Sequence, residues 1–414
     1  MPGVRISHRP PRLSSEARFS CIILSMTIRI DAGQLDAGLD AVFAKARDLW
    51  SAGEPGRALP MFAKLAEALP DHADIIAALG VCLFELGDIA AARQSLERAL
   101  ALNPAHGVAA YNLAHVLLLE GDLERGFELY ERRWASFPRA SWLPPLGEMW
   151  DGRPIAGTLL VVAEQGFGDT IQFARFLPLA ARRAGELVLI TAPELARLMQ
   201  AVPGVARVVT AGDPVPDFER SVMMMSLPQS LGLAAQADKV APPPYLPLPE
   251  RDNFQDLADL SRFKVGLIWG GRAQTSQEKL RVAGLEALKP LASLSSAAFF
   301  SLQMGEHRSQ LPLWPGALAD LSPRLRDFAE TAAALSHLDL LVTVDTAAAH
   351  LAGALALPAF VLTPRIPHWI WGLKGETTPW YPTLRLFRAD HEGFEASIGR
   401  IKAALADLVD SHSG

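Results

Sequence analysis

A chain of 414 residues, half of them hydrophobic and 20% charged, holds more apolar material than one core can use and divides into two or three domains. Its net charge of −6 excludes a general nucleic-acid binder, which needs a basic stripe, and its two cysteines, Cys21 and Cys82, are too few for a disulfide framework or a zinc site. A reducing, cytoplasmic setting is expected, with no membrane span, since the longest uncharged run, Thr346 to Pro364, is interrupted by His350 and Pro358.

Residues 1–38 read as an N-terminal extension, disordered in part. Its first 25 residues are Arg-rich and hold Pro10 and Pro11; the apolar patch Phe19 to Leu24 is shorter than a signal-peptide core, and Met26 offers an alternative start to Met1. Residues 39–140 then repeat. Gly53, Gly87 and Gly121 fall 34 residues apart, as do Pro70, Pro104 and Pro138, and the small residues Ala58, Ala92 and Gly126 are each followed four positions on by Phe62, Leu96 and Tyr130. Glycine ends a turn, a small residue lets two helices approach, and proline closes the unit. This resembles the tetratricopeptide repeat, with Leu79-Gly80 and Ala99 in repeat two at the positions of that family's pattern and Arg133 departing from it in repeat three. The resemblance implies a concave surface that takes a peptide or partner protein, or one that packs on the next domain.

Residues 141–157, with Trp142, Pro144, Pro145 and Trp150, break the pattern and form a connector. Beyond it strands and helices alternate, which predicts parallel sheets. Strands are expected at Thr158 to Ala163, Leu187 to Thr191, Ala206 to Thr210 and Ser221 to Met225, with helices from the Glu164–Asp169 turn to Ala184 and over Pro193 to Ala201. A proline-rich crossing, Pro242 to Pro244 with Pro247 and Pro249, separates this lobe, residues 158–250, from a second at residues 251–414. There the expected strands are Lys264 to Trp269, Ala298 to Gln303, Leu340 to Val344 and Ala359 to Leu362, and the helices Leu285 to Leu294, Asp327 to His337, Ala347 to Leu357 and Phe394 to Val409. Two doubly wound lobes enclose a cleft between their carboxyl edges.

Each lobe brings one informative turn to that cleft. In the first, Gly166 and Gly168 permit close backbone approach and Asp169 opens a helix, where its charged form is expected to be favoured; it is a candidate general base or a helix cap. In the second, Leu340 to Val344 stops at Asp345 and Thr346, and a helix of small residues starting at Ala347 presents bare amides suited to a phosphate, with His350 one turn on. Asp345 and Thr346 serve equally as caps. Met223 to Met225 read as core.

The ordered segments EQGFGDTIQFARFLPLA (Glu164 to Ala180), VGLIWGG (Val265 to Gly271), SLQ (Ser301 to Gln303), DFAETAA (Asp327 to Ala333), VDTAAAHLAGAL (Val344 to Leu355) and PWYPTLRLFR (Pro379 to Arg388) resemble the bacterial glycosyltransferases that join tetratricopeptide repeats to a GT-B domain related to family 9, the lipopolysaccharide heptosyltransferases. That resemblance implies helical repeats followed by two Rossmann-like lobes, an acceptor-side lobe and then a donor-side lobe. Asp169 falls on the family's base. Asp345, Thr346, Ala347 and His350 fall on the motif that holds the donor diphosphate, with Ala347 replacing a glycine, and Lys279 or Arg281 on a basic residue facing it. Gln165, Gln303, Trp369 and Trp380 are candidate sugar or base contacts. His368-Trp369-Ile370-Trp371 departs from the relatives' Asp-Trp-Arg-Trp, which removes two groups able to fix hydroxyls or phosphate.

The implied activity is inverting, metal-independent sugar transfer from a nucleotide diphosphate-sugar, as co-substrate with no cofactor, to a hydroxyl of a protein or lipid-linked saccharide. The alternative is a non-catalytic repeat scaffold with a vestigial nucleotide cleft. A nicotinamide dehydrogenase is disfavoured, since no GxGxxG turn with a following acidic residue is present.

Overall fold

The computed structural model describes residues 37–136, 146–249, 252–271, 281–390 and 393–413. The expectations for residues 1–36, for Pro138 and for Lys279 lie outside those residues. Three helical hairpins come first: α1 (Ala37–Ser51), α2 (Pro55–Ala68), α3 (Ala73–Leu86), α4 (Ile89–Leu102), α5 (Gly107–Glu120) and α6 (Leu123–Tyr130). Gly87 and Gly121 end α3 and α5 in the left-handed region, at φ 83° and 91°, which a side chain would resist. The next residues, Asp88 and Asp122, cap α4 and α6 by accepting the amides of Ala91 and Arg125. Small residues set the helix spacing: a Cβ on Gly80 would lie 2.8 Å from Leu96, and one on Gly126 2.7 Å from Leu118.

The front lobe is a four-stranded parallel sheet in the order β3-β2-β1-β4, from β1 (Thr158–Val162), β2 (Glu186–Ile190), β3 (Arg207–Val209) and β4 (Arg220–Met223). The back lobe is a six-stranded parallel sheet ordered β10-β9-β8-β5-β6-β7, from β5 (Phe263–Ile268), β6 (Ala297–Ser301), β7 (Ala319–Asp320), β8 (Leu340–Val344), β9 (Ala359–Thr363) and β10 (Leu384–Arg388). Both sheets are parallel, as the alternation of strands and helices along the chain predicts. β8 is buried along its whole length, as a strand covered on both faces must be.

Several elements differ from expectation. The helix opened by the Gly166 turn breaks after Phe173 into a 3₁₀ turn and a short helix, Leu177–Ala181, where Pro178 cannot donate to a continued ladder. Met224 and Met225 lie in a 3₁₀ turn after β4 and not in the strand, though both are buried. The helix after Ala347 ends at Ala354, and Ala356 adopts φ 58° before Pro358. β7 and β10 lie outside the expected strands; β7 has two residues, too few to carry a periodicity. Met149, in the connector, bridges Ser221 in parallel at the edge of the front sheet.

One hydrophobic core runs from the repeats through both lobes, including Phe62, Phe127, Phe173, Trp369 and Tyr381. Polar ties reinforce it. Arg133, at the position where the repeat pattern has a small residue, is fully buried; it donates to Glu164 Oε1 at 2.9 Å, Ser226 Oγ at 2.7 Å, Glu131 Oε1 at 2.9 Å and the Tyr130 carbonyl at 3.1 Å. Arg175, also buried, donates from the front lobe to the Trp380 carbonyl and lies over the Tyr245 ring. Arg197 on the Pro193–Gln200 helix grips Asp327 with two bonds of 2.6 and 2.9 Å.

Candidate active site

A cavity of about 830 Å³ lies where the three units meet. The repeats contribute Phe84, Tyr111, His115 and Tyr130; the front lobe Gln165 to Asp169; and the back lobe Gly270, Gly271, Arg281, Gln303, Thr346 to Ala348, His350, His368 and Trp369.

On the back-lobe side β8 delivers Asp345 and Thr346, and the helix Ala347–Ala354 follows. Thr346 occupies the cap position with extended backbone, yet its hydroxyl bonds Thr343 Oγ1 at 3.1 Å and makes no cap bond. Asp345 is buried and pairs with Arg281, Nε to Oδ2 3.4 Å. Neither side chain caps the helix, contrary to that expectation. As first-turn amides, those of Ala347 and Ala348 have no intrahelical acceptor, and both residues line the cavity. A positive helix end beside the Arg281 guanidinium suits an anion.

His350, one turn along, is held by Tyr381, whose hydroxyl lies 3.1 Å from Nδ1, and by the Trp371 ring at 5.1 Å. Burial pushes it down to about 4, so it is neutral. Its other edge meets the front lobe: a Cβ on Gly168 would lie 2.8 Å from His350 Cδ2 and 3.1 Å from Nε2. Gly168 is therefore a glycine for the sake of an approach between lobes. Gly168→Ala is expected to push the two helices apart, costing about 1–3 kcal/mol by overpacking. A denaturant midpoint unchanged from wild type would show that the histidine yields freely.

Asp169 sits in the first turn of the Phe167–Phe173 helix and accepts the Gly166 amide at Oδ2, 3.2 Å. A helix start alone would favour its charge, but burial dominates and pushes it up to about 7, against the opposing pull of Arg281 and the Gly166 amide. The expected charge preference is thus overturned by desolvation. Its Oδ1 lies 4.0 Å from Nε2 of His368, a residue that sequence reasoning read only as a departure from a pattern. His368 is held well below the ordinary histidine range by burial. His115, which donates Nδ1–H to the Tyr111 carbonyl at 3.0 Å, is pushed down to about 4 for the same reason.

The four candidate sugar or base contacts divide. Gln165 and Trp369 line the cavity, Gln165 donating to the Tyr130 hydroxyl at 3.3 Å. Gln303 also lines it, but its amide is consumed: Oε1 accepts from Trp269 and Gly270, and Nε2 donates to the carbonyls of Gly270 and Met304. It braces the loop after β5 and has no group left for a sugar. Trp380 is buried beneath Trp369, ring centroids 5.3 Å apart, and is not among the cavity-lining residues. Among the described residues no group of three or more His, Cys, Asp or Glu side chains is placed to hold a metal ion, and no helix is long and apolar enough to cross a membrane.

Comparison with known proteins bears first on the helical hairpins. The tetratricopeptide-repeat family matches over residues 43–106 and again over 83–142. Residues 43–142 are tetratricopeptide repeats. Protein FlbA of Caulobacter vibrioides is 26% identical over 413 aligned residues, which cover 88% of this chain; the chain spans 66% of FlbA's length. Among solved structures, ADP-heptose lps heptosyltransferase II of E. coli is 13% identical and aligns over 62% of this chain and 100% of its own, with a TM-score of 0.42. The family 9 glycosyl transferase from Veillonella parvula is 11% identical, aligning over 59% of this chain and 89% of its own at a TM-score of 0.41. The tetratricopeptide repeats of this chain pack on the rest of the molecule: Phe127 of α6 stacks edge-on against Phe173 and Trp369 of the two lobes.

Proposed function

We propose that this chain is an inverting glycosyltransferase that moves a sugar from a nucleotide diphosphate-sugar to a hydroxyl of a protein or saccharide acceptor. One observation carries the reading: a buried carboxylate tuned to about 7 and an amide-lined helix mouth beside an arginine share a single cavity between two parallel-sheet lobes. The ordered motifs from Glu164 to Arg388 support it. Asp169 takes the acceptor proton as the hydroxyl oxygen bonds the anomeric carbon, and the bond from that carbon to the diphosphate oxygen breaks with its electron pair leaving on the diphosphate. The amides of Ala347 and Ala348, Arg281, and the neutral His350 as its Nε2–H tautomer meet the charge that develops there. A single displacement by one base inverts the anomeric centre, so the paired carboxylates of glycosidases are not needed. The acceptor enters against the repeats, whose Tyr111, His115 and Tyr130 close the same cavity.

Melting curves against the diphosphates of adenosine, guanosine, uridine, cytidine and thymidine test the donor side. A ligand at about 100 times its Kd stabilises the fold by about 2.7 kcal/mol, and the base that raises the melting temperature names the donor series for transfer assays. If none of the five shifts the melt and no donor in the panel is consumed, the transferase reading falls and the repeat scaffold with a vestigial cleft replaces it.

A further inference from the structure

His368 opens the 3₁₀ turn Trp369–Trp371, and its neighbour fixes it in place. Trp369 is wedged between Phe127 of the repeats, Phe173 of the front lobe and Trp380 of the back lobe, at centroid separations of 5.9, 6.4 and 5.3 Å. The imidazole rests on Trp369 at 5.2 Å and turns Nε2 toward Asp169. Its Nδ1 is buried and has no hydrogen-bond partner among the described residues. The gap of 4.0 Å between Nε2 and Asp169 Oδ1 exceeds a hydrogen bond. It fits one oxygen between them: at about 2.8 Å from each atom, such an oxygen would see the pair at roughly 90°, about 20° short of the tetrahedral angle between the proton and a lone pair of a hydroxyl, a bend that hydrogen bonds accept.

We propose that His368 is a positioning residue that holds the acceptor hydroxyl between its own Nε2–H and the Asp169 carboxylate. This rests on the transferase reading and deepens it at the acceptor end. The hydroxyl donates its proton to Asp169 and accepts from His368, which leaves a lone pair for the anomeric carbon. The imidazole keeps its proton throughout, so the balance of the transfer is unchanged. Neutrality is part of the role, because an imidazolium here would pull the Asp169 carboxyl down and weaken the base. The groups that bear on the ring are Asp169, Arg281, His350 and His115; the positive charge of Arg281 and burial both keep it uncharged.

The test uses the full chain with His368→Ala and His368→Gln. Once a donor and acceptor are in hand, His368→Ala should raise the acceptor KM and lower kcat/KM for the acceptor by roughly tenfold to a hundredfold, the worth of one hydrogen bond to a reacting hydroxyl. Affinity for the nucleoside diphosphate should stay at the wild-type value, and His368→Gln, which keeps an amide donor, should recover most of the loss. Acceptor kinetics equal to wild type in His368→Ala, or an equal loss of nucleotide affinity, would overturn the proposal. A second arm needs no turnover: in ¹⁵N-histidine-labelled protein, His368 should be the neutral Nε2–H tautomer at pH 7, and Asp169→Asn should move its signals. An Nδ1–H tautomer, or signals indifferent to Asp169→Asn, sinks the positioning role. Absence of turnover in wild type with the expected tautomer and coupling would instead count against the transferase reading alone.

Discussion

Asp169→Asn is expected to lower sugar transfer by about 10²–10⁴-fold, the usual worth of a general base, while making the protein more stable above neutral pH. The two effects share one cause. Asp169 is pushed up to about 7 by burial, against an ordinary value of 3.8. Between those two values the folded state holds a proton that the unfolded chain has released, so stability falls as pH rises through that window. Above pH 7 the fold carries a buried charge at a cost on the order of a few kcal/mol. Asparagine has no charge to bury, and its carbonyl can still accept the Gly166 amide that Asp169 Oδ2 holds at 3.2 Å. The wild-type kcat/KM should rise with pH to a plateau with its midpoint near 7, a limb that the variant lacks. Retained transfer in Asp169→Asn would move the base elsewhere. A melting temperature at pH 8 no higher than wild type would mean that the carboxylate is better solvated than its surroundings imply.

Arg133→Ala should cost about 3–5 kcal/mol, the range for removing one partner of a buried ion pair. The repeat pattern itself places alanine at this position, so on sequence grounds the change restores the consensus and should be harmless. The structure argues otherwise. Arg133 is the cation against Glu164, also buried, and the shared donor to Ser226 and Glu131; its guanidinium lies over the rings of Tyr130 and Trp134 at 4.6 and 4.4 Å. Without it the Glu164 carboxylate has lost its ion-pair partner at the start of the turn that carries Gln165, Gly166 and Asp169. Urea unfolding of Arg133→Ala, and of Arg133→Ala combined with Glu164→Gln, separates the causes. The second change should return part of the loss, since most of it is the stranded charge. A loss under about 1 kcal/mol in the single variant would place the pair in the class of exposed ion pairs.

Much of the architecture was legible from the chain because it is local. The 34-residue spacing of Gly53, Gly87 and Gly121 marks helix ends that need a left-handed residue, a requirement of one turn. The apolar run Leu340 to Val344 ending at Asp345, and the Gly166-to-Asp169 turn after Thr158–Val162, each announce a strand and the helix after it from residues in contact along the chain. What could not be read is set by residues far apart in sequence. Arg133 looked like a lapse in the repeat and is the joint to Glu164, 31 residues on. Gln303 looked like a ligand group, and its amide is spent on the loop after β5. Trp380 looked like a stacking platform and is packed under Trp369. Asp169 looked charged because its position in a helix is a local fact, whereas its burial is the work of three units closing on it. His368 carried no signal of its own, since its nearness to Asp169 exists only when the two lobes meet. Periodicity and turn chemistry fix which elements form, because those are energies of neighbours along the chain; desolvation and the pairing of groups hundreds of residues apart arise only when those elements pack.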